Sequence, residues 1–289
     1  MNPFVFGRPR FVFQQSGLLL LILLSSPAVS ARGDEDPPTD SQKYQAFAKQ
    51  AAGYVIREQG TGRQLELRSE SLLNWANPVR QQERGSVFVW LARGRPEAIG
   101  SVFTYELNGT AYDKHEFHSL SDQPLVMTRN DQTAWTPKAR AAEWRTLEDA
   151  PHPAPSDRQR LVEMRSLARR FRVRLSDPRG DRSELRLMPQ PLFRYSAREE
   201  KVLDGAIFSF VVATDPEALL LIEAAGAPGE ERWRFAFARF HYWALAAELD
   251  ARPVWSVEPD ESQALHFLGD TQHLEKPYVS FHPRARSSN

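Results

Sequence analysis

The sequence predicts an α+β fold: two tandem pseudo-repeats, each a helix followed by an antiparallel β-meander packed on it. Three observations predict it. The chain aligns with itself without a gap at an offset of 120 residues, so that Leu65, Leu67 and Leu72 meet Leu185, Leu187 and Leu192, Gly85 and Phe88 meet Gly205 and Phe208, and Trp135 meets Trp255. Each half opens on a helix-compatible stretch. Each then continues as short runs of β-branched, aromatic and aliphatic residues separated by turn residues, the pattern of antiparallel strands.

Residues 1–31 read as a secretory signal peptide. Arg8 and Arg10 precede the apolar run Leu18–Leu24, and small residues follow up to Ala31. That run is too short for a comfortable bilayer span, which needs about 20 residues. Residues 32–42 are charged and Pro-containing and read as a disordered linker. The Arg-Gly-Asp tripeptide at 32–34 is read as chance.

The first repeat spans 43–145 and the second 158–269, with the Pro-rich stretch 146–157 as a semi-rigid linker between them. The opening helices are "QKYQAFAKQAAGYV" and "DRQRLVEMRSLARRFRV". In the second, Leu161, Met164, Leu167, Ala168 and Phe171 follow helical spacing, and Ser156 or Asp157 can cap its start. "RQLELRSESLLNW" and "SELRLMPQPLFRY" read as the first strands. "GSVFVWLA" and "GAIFSFVVA" follow, apolar on both faces and so requiring cover on both sides. "PEA" at 96–98 and again at 216–218 reads as a turn, which makes Glu97 and Glu217 turn residues. Asn108-Gly109 is a hairpin signal. Residues 270–289 are polar and read as a flexible tail.

The chain carries 37 basic and 37 acidic residues and no cysteine. Loss of Arg8 and Arg10 with the signal segment leaves it slightly acidic, which excludes a nucleic-acid partner of the usual basic kind. Absence of cysteine excludes disulfides, thiolate ligands and a catalytic thiol. No apolar run after the signal peptide is long enough to cross a membrane. The compartment implied is bacterial, periplasmic or extracellular.

Trp75-Ala-Asn-Pro78, "GRPEA" at 94–98 and "EFHSL" at 116–120 stand in an order that resembles a group of secreted bacterial proteins. The resemblance covers both halves loosely and implies no activity.

"HEFH" at 115–118 is close to the metalloprotease pattern His-Glu-x-x-His, but its histidines are three apart instead of four. The 120-residue offset sets it against "FAFA" at 235–238, where Trp233, Phe235 and Phe237 make one apolar strand face. Asp113, His115 and Phe117 then share the core face, and Glu116 and His118 project together from the other. His115 is expected to be partly buried and bonded to a neighbour. Glu116 and His118 are the candidate metal ligands, with no third ligand identifiable; Asp122 and His152 are merely near in sequence. No Gly-x-Ser-x-Gly elbow or phosphate loop is present, since "GTGR" at 60–63 lacks the Lys-Ser/Thr that would follow. Trp144 and Trp243 lack aromatic counterparts in the other half and are the candidate ligand-stacking residues. "RSLARRFRVR" reads as the solvated face of a helix.

These readings point to an exported, non-enzymatic binding or scaffold protein that needs no cofactor, its partner a protein or a cell-envelope polymer. The alternative is an exported metal-dependent hydrolase with its site around Glu116 and His118.

Overall fold

The computed structural model describes residues 39–80 and 83–283; the stretch read as a signal peptide and most of that read as the 32–42 linker lie outside them. The first half runs α1 (Asp40–Ala51), β1 (Val55–Glu58), β2 (Glu66–Leu67), β3 (Leu73–Asn77), β4 (Glu83–Ala92), β5 (Arg95–Leu107), β6 (Thr110–Ser119), β7 (Leu125–Arg129), β8 (Gln132–Trp135) and β9 (Arg145–Thr146). The second runs α2 (Asp157–Ala168), β10 (Phe171–Ser176), β11 (Arg182–Glu184), β12 (Arg186–Leu187), β13 (Phe193–Ala197), β14 (Val202–Val212), β15 (Asp215–Ala225), β16 (Arg232–Arg239), β17 (Ala244–Leu249), β18 (Arg252–Val257) and β19 (Tyr278–Phe281).

The expected α+β class is overturned. The structure is mostly β, 49% strand and 12% helix, with two α-helices and four sheets among the described residues. The meanders do not simply lie on their helices. In each half the strands divide between a six-stranded sheet and a smaller one: β1-β7-β8 in the first, β11-β10-β17-β18 in the second. The small sheet takes cover that an α+β fold would draw from helices. The second helix is also shorter than its apolar spacing suggested. At Phe171 the period changes from 3.6 to 2, and "FRVRLS" alternates buried and more exposed positions as β10. "RSLARRFRVR" is therefore not one helix face but a helix end followed by a strand.

The first helix starts earlier than the linker reading allowed. Thr39 accepts from the Gln42 backbone N–H and Gln42 reaches back to the Thr39 N–H, a reciprocal capping box. Phe47 and Ala51 face the core from α1; Met164, Leu167 and Ala168 do so from α2. The α2 residue Arg160 is also buried, its Nε donating to Asp204 Oδ2 on β14 at 2.8 Å.

Alternation along the large-sheet strands sorts side chains between three cores. Phe88, Trp90, Ala98, Val102 and Phe117 face the first small sheet and α1. Phe208, Phe210, Leu220, Ile222, Phe235 and Phe237 face the second small sheet and α2. The opposite faces meet each other: Trp75, Val87, Ile99 and Phe103 from the first half pack with Tyr195, Ile207, Leu219, Leu221 and Ala238 from the second. This third core is why "VFVW" has no polar side, and the described residues, 39–80 and 83–283, belong to one compact unit.

The termini of the two halves are exchanged. β9, which ends the first half, pairs with β16; β19, which ends the second, pairs with β6. The 270–289 tail reading thus fails over Tyr278–Phe281, where Val279 and Phe281 are fully buried in the first half's core. Likewise the 146–157 linker begins inside β9 and buries Leu147 in the second half's core.

The "PEA" segments are strand, not turn. Pro96 and Pro216 sit beside the register shifts at Trp90/Leu91 and Phe210/Val211, where a missing N–H is tolerated. The reversals lie just before, at Arg93-Gly94 and Ala213-Thr214. Asn108 and Gly109 both have positive φ (52° and 74°), the geometry of a type I′ hairpin between β5 and β6. Gly100 is required by close approach: a Cβ there would meet the Phe117 ring at 2.5 Å.

If β19 is part of the first half's core, Phe281→Ala lowers global stability by about 3 kcal/mol or more. Urea unfolding followed by tryptophan fluorescence measures this. A loss below about 0.5 kcal/mol, the range of surface substitutions, would mean that β19 is an ornament on the sheet edge.

Candidate functional site

The seam between the two large sheets ends differently on its two sides. Residues 120 positions apart occupy matching places at the two ends, as Arg95 and Asp215 do at the starts of β5 and β15. At one end Glu223 of β15 is buried and takes Arg95 Nε at 3.3 Å, Arg234 Nε at 2.8 Å and the Tyr195 hydroxyl at 2.8 Å. Arg95 also donates to Glu97 at 3.2 Å. Both guanidinium groups lie over the Trp144 ring, at 5.6 and 4.4 Å. That end is closed by the chain's own charges and its own indole.

At the other end the corresponding positions change character. Arg95 becomes Asp215, Glu223 becomes Phe103, Arg234 becomes Lys114 and Ala236 becomes Glu116. Trp144 follows the same logic. β9 pairs Arg145 with Phe235 and β19 pairs Phe281 with His115, so the next residue along is Trp144 on one side and Ser280 on the other. A serine where the closed end has an indole leaves space. The result is a cavity of about 430 Å³ lined by Arg80, Glu83, Lys114, Glu116, Asp215 and His241, with walls from Trp75, Phe103, Tyr105, Tyr242 and Trp243.

Inside it the built-in cations are already engaged. Arg80 Nη1 reaches Glu217 Oε1 at 2.8 Å and Asp215 Oδ2 at 3.6 Å, and its guanidinium lies over Trp243 at 5.2 Å. Lys114 Nζ donates to the Ala264 carbonyl at 3.1 Å and lies over Tyr242 at 5.0 Å. Asn77 donates to Asp215 at 3.1 Å. The Tyr278 hydroxyl donates to Glu116 Oε2 at 2.8 Å. Glu217, fully buried behind the cavity, has no hydrogen-bond partner for Oε2 among the described residues.

Burial without enough positive charge raises the pKa of each of these carboxyls. Burial, then the Asp215 charge, pushes Glu83 up to about 8; burial raises Asp215 to about 6, against the hydrogen bond from Asn77. The Glu83 carboxyl hydrogen-bonds to Asp215, so the two titrate together. Burial holds Glu116 and Glu217 well above the carboxylate range. Burial also pulls Lys114 down to about 8, opposed by Glu116 and Glu83. It holds His241 well below its usual value, helped by Arg80 and Lys114.

The residues singled out in the sequence are partly brought together. Glu116 and Trp243 line this cavity. His118 does not: it opens into a neighbouring cavity of about 240 Å³ with Arg239, Trp255 and Lys276, and Tyr278 stands between the two. Its Nδ1 bonds the Ser119 carbonyl at 2.8 Å, and burial pulls it down to about 4. No group of three or more metal-ligating side chains occurs among the described residues, so Glu116 and His118 gain no third ligand. Trp144 is spent on Arg95 and Arg234. His115 is fully buried, bonded to Tyr54, Gln50 and Arg129 on the core face.

Arg80, Glu83, Lys114, Asp215 and Tyr278 were not found in the sequence. A usable signal was the charge next to wholly apolar strands: Glu83 before "GSVFVW" and "DPE" before "ALLLI". A carboxylate entering such a strand must be paired or neutral.

The shifts fix a pH signature. Glu83 and Glu97, raised to about 8 and about 7 from 4.5, bind protons when folded that the unfolded chain has lost. The stability they add is complete below about pH 4.5 and disappears as pH rises through the folded values. His115, His118 and His241 act oppositely, costing stability as pH falls below about 6.5. Between pH 6.5 and 8 the carboxyl effect outweighs that of Lys114, which loses its proton in the folded state near 8 instead of 10.5 and so opposes it. Stability should fall there by on the order of 1 kcal/mol, and Glu83→Gln with Glu97→Gln should flatten the slope in urea titrations. A rise over that interval in the unsubstituted protein would contradict the assignment.

No family model, curated protein or solved structure matches this chain, so the cavity's own chemistry carries the functional reading.

Proposed function

We propose that this is an exported, internally duplicated binding protein that holds a small organic ligand in the cavity between its two large sheets. Export rests on the residue pattern of positions 1–31. Duplication is supported by strands at a constant spacing: β2 and β12, β3 and β13, and the starts of β5 and β15 all lie 120 residues apart. The helices are 117 apart, three residues having entered between β1 and β2 or their equivalents. Divergence after duplication gives one seam end that is filled and one that is open.

The single observation carrying the binding reading is that opening. About 430 Å³ is bounded by aromatic walls and a few convergent polar groups, the usual make-up of a small-molecule site. Those polar groups are costly to bury, and holding protonated carboxyls at neutral pH destabilises the fold unless something is gained.

The test is a thermal-shift screen of the purified protein against organic cations, anions, sugars and neutral amphiphiles, repeated on Ser280→Trp. That change puts an indole where Trp144 stands at the closed end. At least one chemical class should raise the unfolding temperature saturably, and the variant should lose that shift while melting no lower than the parent. A screen with no response, or a response that survives Ser280→Trp, would sink the proposal. N-terminal sequencing of exported protein should start near Arg32.

A further inference from the structure

Resting on the cavity as a ligand site, we propose that its ligand is an organic cation carrying an apolar body: an ammonium or guanidinium group enters among Glu83, Glu116 and Asp215, and the hydrophobic part lies in the mouth. Three observations converge on this class.

The first is what the closed end provides. There the buried carboxylate Glu223 is met by the Arg95 guanidinium, stacked on the Trp144 indole. The open end has lost both, with Asp215 at the position of Arg95 and Ser280 at that of Trp144. A cation joined to an apolar group is the chemical equivalent of the missing pair.

The second is charge. Four carboxyls, Glu83, Glu116, Asp215 and Glu217, converge with two bases, Arg80 and Lys114. Arg80 is committed to Glu217 and Asp215, and Lys114 to a backbone carbonyl. Neither Glu83 nor Glu116 has a basic side chain within ion-pair distance among the described residues. With Glu217 Oε2 buried and unpartnered, acceptor capacity exceeds donors. An incoming anion would add to the surplus, whereas a cation removes it and lets a carboxyl ionise.

The third is the mouth. Of the six exposed large hydrophobic residues among those described, two line this opening and a third stacks on one of its lining residues. Val79, 80% exposed, and Leu107 line it directly. Leu265, 79% exposed, follows the lining residue Ala264. Tyr112 stacks on Tyr105 at 5.4 Å, and Phe267 continues the same aromatic chain through His282. Apolar groups gathered at one polar cavity mark an interaction site, while scattered ones do not. Together the two zones fit an amphipathic molecule with its charge inward.

Isothermal titration calorimetry of the purified protein at pH 7 with n-octylammonium, octanoate and methylammonium tests the class. Octylammonium should bind saturably at one site, with octanoate and methylammonium each at least about tenfold weaker. Glu116→Gln, which mimics the protonated carboxyl and should preserve the fold, should weaken octylammonium about tenfold; Glu83→Gln supplies a second, independently folded check. Octanoate binding as tightly as octylammonium, methylammonium binding as tightly, or both variants binding octylammonium like the parent would overturn the assignment. If octanoate binds and Ser280→Trp abolishes it, the cavity remains a ligand site and only the cation class falls. If none of the three binds and the broad screen is also silent, both proposals fall.

Discussion

The packing of the two large sheets against each other governs the rest of the molecule. Each of these sheets already has one face covered by its own small sheet and helix. Burying the second face makes both sides of the central stretches of β4, β5, β14 and β15 inaccessible to water, and every polar group there must find a partner inside the protein. Apolar side chains meet that demand in the middle of the seam, where Val87 and Ile99 pack with Ile207 and Leu219. Charged ones meet it at the ends. The exchange of β9 and β19 locks the arrangement, since each half completes the sheet of the other.

The two seam ends show how the same backbone positions can close or open a site. At the closed end charges of opposite sign are matched: Glu223 has two guanidinium partners and a phenol, and the Trp144 ring lies against both cations. At the open end the signs no longer match. The surplus is relieved by protonation, Glu83 sharing its proton with Asp215 and Glu116 taking a hydrogen bond from Tyr278. The space and the unmatched acceptors arise from the same few replacements, which is why cavity and charge coincide.

Much of the strand content was legible. Phe235 and Phe237 do share a core face, and Phe117 is the matching core position in β6, because side-chain alternation has a fixed period of two. Three local readings failed for identifiable reasons. "FRVRLS" continued a helical apolar spacing, yet strand pairing with β17 claimed it. Thr39–Gln42 carried a capping box but looked like linker composition. Pro96 and Pro216 suggested turns, although a bulge accommodates proline in the strand. Glu116 and His118 were correctly placed on one strand face; the alternation rule could not show that Tyr278, 160 or more residues later, would separate them.

The sequence by itself determined the absence of cysteine chemistry and the strands that needed cover on both faces, because composition and residue type are local properties. Only the tertiary structure decided what covers those faces, and with it the fold class. It also decided that residues 278–281 and 145–146 would cross to the opposite half, and that Arg80, Glu83, Lys114, Glu116 and Asp215 would converge. Those residues lie up to 135 positions apart, and their pKa values follow from burial and from each other's charge. Neither quantity exists until the two sheets have closed on one another.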